Sequence, residues 1–495
     1  MTTVVLDGQS LRPDHVAEIA AGARVVLEGG ARARMSANAD AFATHPSVLR
    51  AKRRYLVGPA PVADADLVPT FILGHCSGVG ESLPAPIVRA MMACRANVLA
   101  AGASGVRPEA ADALLALLNA GITPIVPSQG SVGAAGDLAP LAHVARVLCG
   151  LGGLAALPDG SVGLNPLPAF VPTHKEALSL INGATLTSAI AAIAVFRAER
   201  VVQAMEVACA MSMAVLRSDT RCLSEAAAGL RGHAGGVRVA ARIRAILGHD
   251  IVGSPDAFSI RAAPAVIGAA RDALDFIVRT VTLELNGACD NPLYIDGGVI
   301  EGGNFHGAPV ALAMDVLRIA LTQAATQSER RTFRLTSGEL SGDLPSFLVE
   351  GTGLNSGFML AQYTAASLAS ECKGLAHPAC VDSIPTVQHH EDHVSMGPIA
   401  GRLALRTLEC VADIVAIEVL LAAQGLEFRR DGVSFRDGVR TVGTPVRLSI
   451  GVEAARAAVR AVTPRWHDDQ HLHPAMAAVG QLVRAGKLTG AGVPW

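Results

Sequence analysis

TLTSAIAAIAVFRAERVVQAMEVACAMSMAVL, residues 185–216, runs its whole length without proline or glycine. Alanine, methionine and their like are helix formers, and propensity summed over so many turns argues for one long helix. Two further windows read the same way. Residues 307–334 are interrupted only by Pro309, and residues 398–428 carry apolar side chains around most of their circumference. A helix apolar on nearly every side is buried in a large bundle or between subunits. Alternating patterns are scarce, the best being TTVVLDG at 2–8 and PLYIDGGVI at 292–300, where the GG reads as a hairpin turn. The class is therefore mainly α. Glycine and proline gather at 58–66, 123–137 and 152–170, which divides the chain into a loop-rich N-terminal part, 1–175, and a part of long helices, 176–495.

Composition bounds the function. The chain has 495 residues, 51% hydrophobic and 17% charged, enough for a large buried core. Its 41 basic and 43 acidic residues nearly cancel, so no global field draws nucleic acid or an anionic membrane, and the expected partners are a small molecule and further copies of the chain. The cysteines show no C-x-x-C and no metal-type spacing, as in a reducing cytoplasm. The first residues lack a basic start followed by an apolar run, so no signal peptide is expected, and apolar windows such as 184–195 are too short to span a bilayer.

Five segments carry a resemblance. They are GHCSGVGE (74–81), GSVGAAGDLAPLAH (130–143), LINGATLTS (180–188), ELNGACDNPL with GGNFHGAPVA (284–311), and SGFMLAQYTAASLASECKGLAHPACVDSIPT with EDHVSMG (356–397). In this order they identify the chain as a member of the aromatic amino acid ammonia-lyase family of histidine, phenylalanine and tyrosine ammonia-lyases. The resemblance implies a homotetramer with a long central helix bundle and active sites assembled from more than one subunit. It also implies a loop whose Ala-Ser-Gly cyclises to an electrophilic methylidene-imidazolone. The matching residues here are Ala134, Ala135 and Gly136. An alanine methyl cannot leave as water, so that cofactor is expected to be absent. The family's tyrosine loop survives at best as Tyr55 to Val62, and its Q-D-P-Y-S-L-R as PDAFSIR, 255–261. In this the chain is similar to ergothionase, which releases trimethylamine from a betaine of histidine.

The resemblance assigns further positions. Arg261 matches the substrate-carboxylate clamp, which an arginine fork suits better than lysine, though a helix-pairing arginine is the plain alternative. Asn182 matches an asparagine near the carboxylate and amino group, or is an ordinary buried cap. His75 and Glu391 match positions facing the substrate ring, and a carboxylate opposite an imidazole N–H is a charge-assisted contact. His389 and His390 replace the family's Asn-Gln. The four-residue spacing of His389 and His393 also suits metal ligands, but no metal is expected. Tyr55 is the candidate base, with Lys52, Arg53 and Arg54 to lower its pKa or to form only a basic solvated turn. Lys373 can contact the ring or the carboxylate, or sit in an ion pair. Phe305 is a candidate wall, where a cation over the ring gains about 0.5–2 kcal/mol.

Three functions compete. One is a carbon–nitrogen lyase releasing trimethylamine from ergothioneine or hercynine without an electrophile. The second is a histidine ammonia-lyase with alanine in place of the cofactor serine, and the third a noncatalytic ligand-binding relative. Retention of a carboxylate clamp beside an acid–base group argues against the last.

Overall fold

The computed structural model describes residues 2–44, 64–253, 256–436 and 439–488. It is 59% helix, as the unbroken apolar runs require. Four helices dominate: Thr185–Leu216, Ala263–Leu285, Ala308–Thr336 and Gly397–Arg430. Pro264, Pro309 and Pro398 each occupy the second position of a long helix, where a missing N–H leaves no bond unmade. Pro309 is thus a start signal and not an interruption. Thr185–Leu216 is buried on all sides over its first eleven residues, 185–195.

Strands are short and pair in sheets of two or three. Thr3–Leu6 runs parallel to Arg24–Leu27, and Leu293–Ile295 pairs antiparallel with Gly298–Ile300. The latter hairpin turns at Asp296 and Gly297, both left-handed at φ 52° and 76°, one residue earlier than the GG pair suggests. Two positive φ angles in a two-residue loop match the twist of the flanking strands.

The chain folds into two compact units, each gathered from three segments. The first comprises Met1–Phe196, Ile277–Asp315 and Pro378–Arg402; the second comprises Arg197–Phe276, Val316–His377 and Leu403–Trp495. In the second unit, fully buried carboxylates lock the long helices together. Glu418 takes both Arg331 Nε (2.5 Å) and Nη2 (2.8 Å), and the hydroxyls of Ser212 and Ser328 donate to it at 2.7 and 2.6 Å. Glu206 likewise holds Arg271 at 2.5 and 2.8 Å, with Arg242 Nε 3.1 Å away. A buried charge whose lone pairs are all used specifies one packing, and removing one partner would strand the other.

One window of membrane-spanning length escaped the reading of apolar runs. Ala308–Thr336 contains it, with mean hydropathy 1.3 and 56% of the window buried; no other helix among the described residues qualifies. Its ionisable residues are engaged as in a protein core. Asp315 accepts the N–H groups of Ala379 and Cys380 at 2.8 Å, and Arg318 donates to the carbonyls of Leu375 and His377.

Candidate active site

The loop at 130–137 is built by what surrounds it. Val79–Ser82 pairs antiparallel with Pro127–Gln129 and delivers the chain to Gly130. Gly130, Gly133 and Gly136 then adopt φ of 135°, 69° and 79°, a region that costs a residue with a side chain but not glycine. Gly136 bridges to Gly183, and any Cβ on it would enter the Gly183 backbone. A Cβ on Gly133 would enter the Ser395 hydroxyl. Ala134 is buried against Val394 and Met396, whereas Ala135, next in the chain, is half-exposed.

Asp137 closes the loop. Its N–H donates to the Gly183 carbonyl at 2.9 Å, and its fully buried carboxylate accepts from Thr187 N–H (2.8 Å), Thr187 Oγ1 (3.3 Å) and Ser131 Oγ (3.1 Å). Burial pushes this carboxyl up to about 6 against those hydrogen bonds. Glu284, half-buried near the end of Ala263–Leu285, is pushed up to about 7 by loss of water, aided by the Asp137 charge and opposed by a hydrogen bond from the Cys289 thiol.

Beneath lies a buried ion cluster. Arg95 Nη2 and Lys175 Nζ each stand 3.2 Å from Asp290, Ser179 donates to Asp290 at 2.8 Å, and Arg95 Nη1 donates to the Cys289 carbonyl at 2.9 Å. Burial works to raise the Asp290 pKa, but Lys175 and Arg95 outweigh it and hold the carboxylate ionised. The same Cys289 carbonyl and Arg95 guanidinium leave no room for a Cβ on Gly183. Gly136 therefore rests, through Gly183, on an arginine fixed by a carbonyl 194 positions away in the chain.

Residues 378–397 strap the other side. Thr386 and Glu391 bridge backbone to backbone, Val394 N–H donates to Ser383 Oγ at 3.1 Å, and Met396 N–H donates to the Val132 carbonyl at 2.8 Å. Ser395 is the hub: buried, it donates to the Gly133 carbonyl at 3.1 Å and accepts from Gly397 N–H at 3.2 Å.

Of the residues expected at the site, the first unit holds Ala134, Ala135, Gly136, His75, Asn182, Phe305, His389, His390 and Glu391. Asn182 ends the His174–Ile181 helix; it is buried, and its Oδ1 has no hydrogen-bond partner among the described residues. His75 lies 2.7 Å by Nδ1 from the Phe71 carbonyl, which assigns the proton to Nδ1 and leaves Nε2 as an acceptor. Glu391 is half-buried, and Thr386 Oγ1 donates to its Oε2 at 2.6 Å. His389 and His390 are exposed, and Phe305 is half-buried. Arg261 and Lys373 belong to the second unit. Arg261 stacks over the Phe258 ring at 4.7 Å and lines a cavity of about 340 Å³ with Arg231, His233 and Asp272. Lys373 is exposed in the last turn of Met359–Leu375. Tyr55 and Lys52 lie outside the described residues. Ser395, Asp137, Glu284 and Arg95 were not singled out from the sequence, although all but Arg95 fall inside the quoted motifs.

The chain that builds this glycine loop over a buried ion cluster matches known proteins of one class. A family model described as aromatic amino acid lyase matches residues 60–483. The histidine ammonia-lyase of Anaeromyxobacter sp. (strain K) is 40% identical over 99% of this chain and 100% of its own. That of Caldanaerobacter subterraneus subsp. tengcongensis is 37% identical over 99% and 98%. The crystal structure of histidine ammonia-lyase from Trypanosoma cruzi superposes with a TM-score of 0.88 at 37% identity, over 98% of this chain and 94% of that one. Ergothionase from Treponema denticola, in complex with desmethyl-ergothioneine sulfonic acid, superposes with a TM-score of 0.85 over 99% and 100%, at 23% identity, a likeness of fold alone. These relatives and structural neighbours make the chain a carbon–nitrogen lyase. The chain belongs to the aromatic amino acid lyase family.

Proposed function

We propose that this lyase eliminates trimethylamine from a betaine of histidine, ergothioneine or hercynine, to give a urocanate-type acrylate without a methylidene-imidazolone. The observation that carries the reading is Ala135. Relatives form the electrophile from a serine-containing loop. Here the glycine cradle that would hold the ring is intact, but residue 135 has no hydroxyl to lose, so the residues present do not fit the group. A free amine leaves poorly without covalent activation through its lone pair. A quaternary trimethylammonium has no lone pair to activate and leaves as a neutral amine.

In this reaction a base removes the β-proton, the C–H pair becomes the Cα=Cβ bond, and the C–N pair departs on trimethylamine. Tyr55 is assigned as the base and Lys52 as its cationic neighbour. Arg261 and Asn182 take the carboxylate, and Glu391 with His75 meets the ring. His389, His390 and Lys373 border the ring and carboxylate, and Phe305 is a wall for the cation. The orphaned Oδ1 of Asn182 supports a place at the nitrogen end of the substrate, since an amide oxygen only accepts: it is drawn to the trimethylammonium cation, while the carboxylate is left to the Asn182 amide N–H and to Arg261. The assembly is assigned as a cytoplasmic homotetramer; all nine cysteines are free thiols, which suits a reducing compartment.

A second reading, a histidine ammonia-lyase with alanine at 135, is favoured by identities near 40% to histidine ammonia-lyases. The two part on one experiment. Purified enzyme is given histidine, hercynine and ergothioneine, and the acrylate absorbance and released amine are followed. Trimethylamine from a betaine, with histidine slower by orders of magnitude, is expected; comparable rates on histidine and its betaine sink the proposal. Under the second reading, Ala135→Ser restores histidine deamination and an intact mass two waters below the sequence mass. Arg261→Ala is expected to raise KM and Tyr55→Phe to lower kcat.

A further inference from the structure

Two imidazoles to which the proposed reaction gives no role stack on one another in the first unit. The rings of His306 and His393 lie with centroids 5.5 Å apart and planes inclined by 29°, within the range of a favourable offset stack. His306 directly follows Phe305 in the loop that enters Ala308–Thr336. His393 stands two residues after Glu391 in the segment that enters Gly397–Arg430. The two segments meet again further along, because a Cβ on Gly307 would stand 3.3 Å from Ser395 Oγ and 3.1 Å from the Ala184 side chain. They run side by side over two rungs, His306 with His393 and Gly307 with Ser395, and Ser395 passes the contact on to the loop at Gly133.

Glu391 needs such an anchor. On its N-terminal side the chain passes through Val387, Gln388 and His389, three consecutive residues with side chains at positive φ. That strain is relieved by any movement of the turn. On its C-terminal side, two residues on, the His393 ring meets His306 of the other segment.

We infer that His306 and His393 are positioning residues, whose stack sets the Glu391 carboxylate against the Phe305 ring and so gives the site its preference for an imidazole ring over a phenyl ring. The inference rests on the reading in which Glu391 meets the ring N–H. A hydrogen bond weakens steeply with distance and angle, so loosening the segment costs the imidazole ligand and leaves a phenyl ligand, which makes no such bond, nearly unaffected.

The test is binding, read by calorimetry on the full-length protein with two acrylates, imidazolyl-acrylate and phenyl-acrylate. His393→Ala and His306→Ala are each expected to lower the imidazolyl preference about threefold to tenfold, the magnitude of one aromatic pair. The double variant should be no worse than either single one, and His393→Phe, which keeps a flat ring, should recover most of the preference. Glu391→Gln should lower the preference further than any of these. Equal losses on both acrylates in the alanine variants, or additive losses in the double, overturn the clamp. A preference lowered in Glu391→Gln but untouched in both alanine variants overturns the clamp alone. An unchanged preference in Glu391→Gln overturns the reading of Glu391 itself. Thermal melting identifies a variant that has unfolded, in which case His393→Phe and His306→Phe against wild type carry the comparison: preference retained in both supports the stack, and loss in both overturns it.

Discussion

Two short stretches of the first unit turn left-handed, and they do so on opposite terms. In the loop at 130–137 the positive φ angles fall on Gly130, Gly133 and Gly136; in the turn before Glu391 they fall on Val387 (48°), Gln388 (52°) and His389 (67°). Glycine adopts this region freely, whereas a residue with a side chain loses about 1–2 kcal/mol there, and a β-branched one is the poorest fit. The loop's shape is therefore intrinsic to its residues. The turn's shape is imposed from outside, by the Thr386–Glu391 bridge and the bond from Thr386 Oγ1 to Glu391. An intrinsic cradle tolerates a change at its half-exposed middle residue, Ala135, without losing its form. An imposed turn depends on every contact that holds it.

The contrast breaks most sharply at Gly136. Gly136→Ala is expected to cost more than about 4 kcal/mol or to abolish folding, because only rigid backbone faces the new Cβ; a urea midpoint near wild type would show that the cradle is not intrinsic. The next effect is one of pH. Asp137 has a folded pKa near 6, above its ordinary 3.8, so between about pH 4 and pH 6 the folded chain keeps a proton that the unfolded chain releases. Its contribution is present at the acid end and is lost as pH rises through 6, by up to about 3 kcal/mol at 1.36 kcal/mol per unit. Asp137→Asn should flatten that part of the stability–pH curve, and an unaltered slope would place the proton elsewhere. Ser395→Ala removes the hub and is expected to cost about 2 kcal/mol, read by thermal melting, with faster amide exchange in the loop. The smallest effect has the opposite sign. Gln388→Gly should stabilise by about 1 kcal/mol, since glycine relieves the turn at a position where contacts already fix it. A loss there would mean that the turn is as intrinsic as the loop.

The same distinction explains what could be read in advance. The long helices were visible because their residues are helix formers with no breaker for many turns, and the loop because its glycines sit where the backbone requires them. The hairpin at 293–300 was legible to within one residue of its turn. The ion cluster was not. Arg95 lies in a mostly apolar helix that also carries Arg89 and Asn97, and its partners are Asp290 and the Cys289 carbonyl, so no local period encodes it. Ser395 is one small residue inside a quoted motif, and its importance arises only when Gly133 and Gly307 are brought to it. The left-handed turn was illegible for the reason that makes it strained: its residue types favour other conformations.

The gathering of the first unit from three separated segments has a consequence for how the protein is made. The cradle needs Cys289 and Arg95 below Gly183, and Ser395 and Met396 above the loop. On a ribosome adding about 5–20 residues each second, residue 396 emerges on the order of tens of seconds after residue 137. Throughout that interval the nascent chain carries a glycine loop with no lid and an aspartate whose burial is incomplete, a stretch that chaperones and proteases can engage. Closure of the cradle is in effect a completion check on synthesis, and a chain truncated before residue 395 lacks the serine that would pass it.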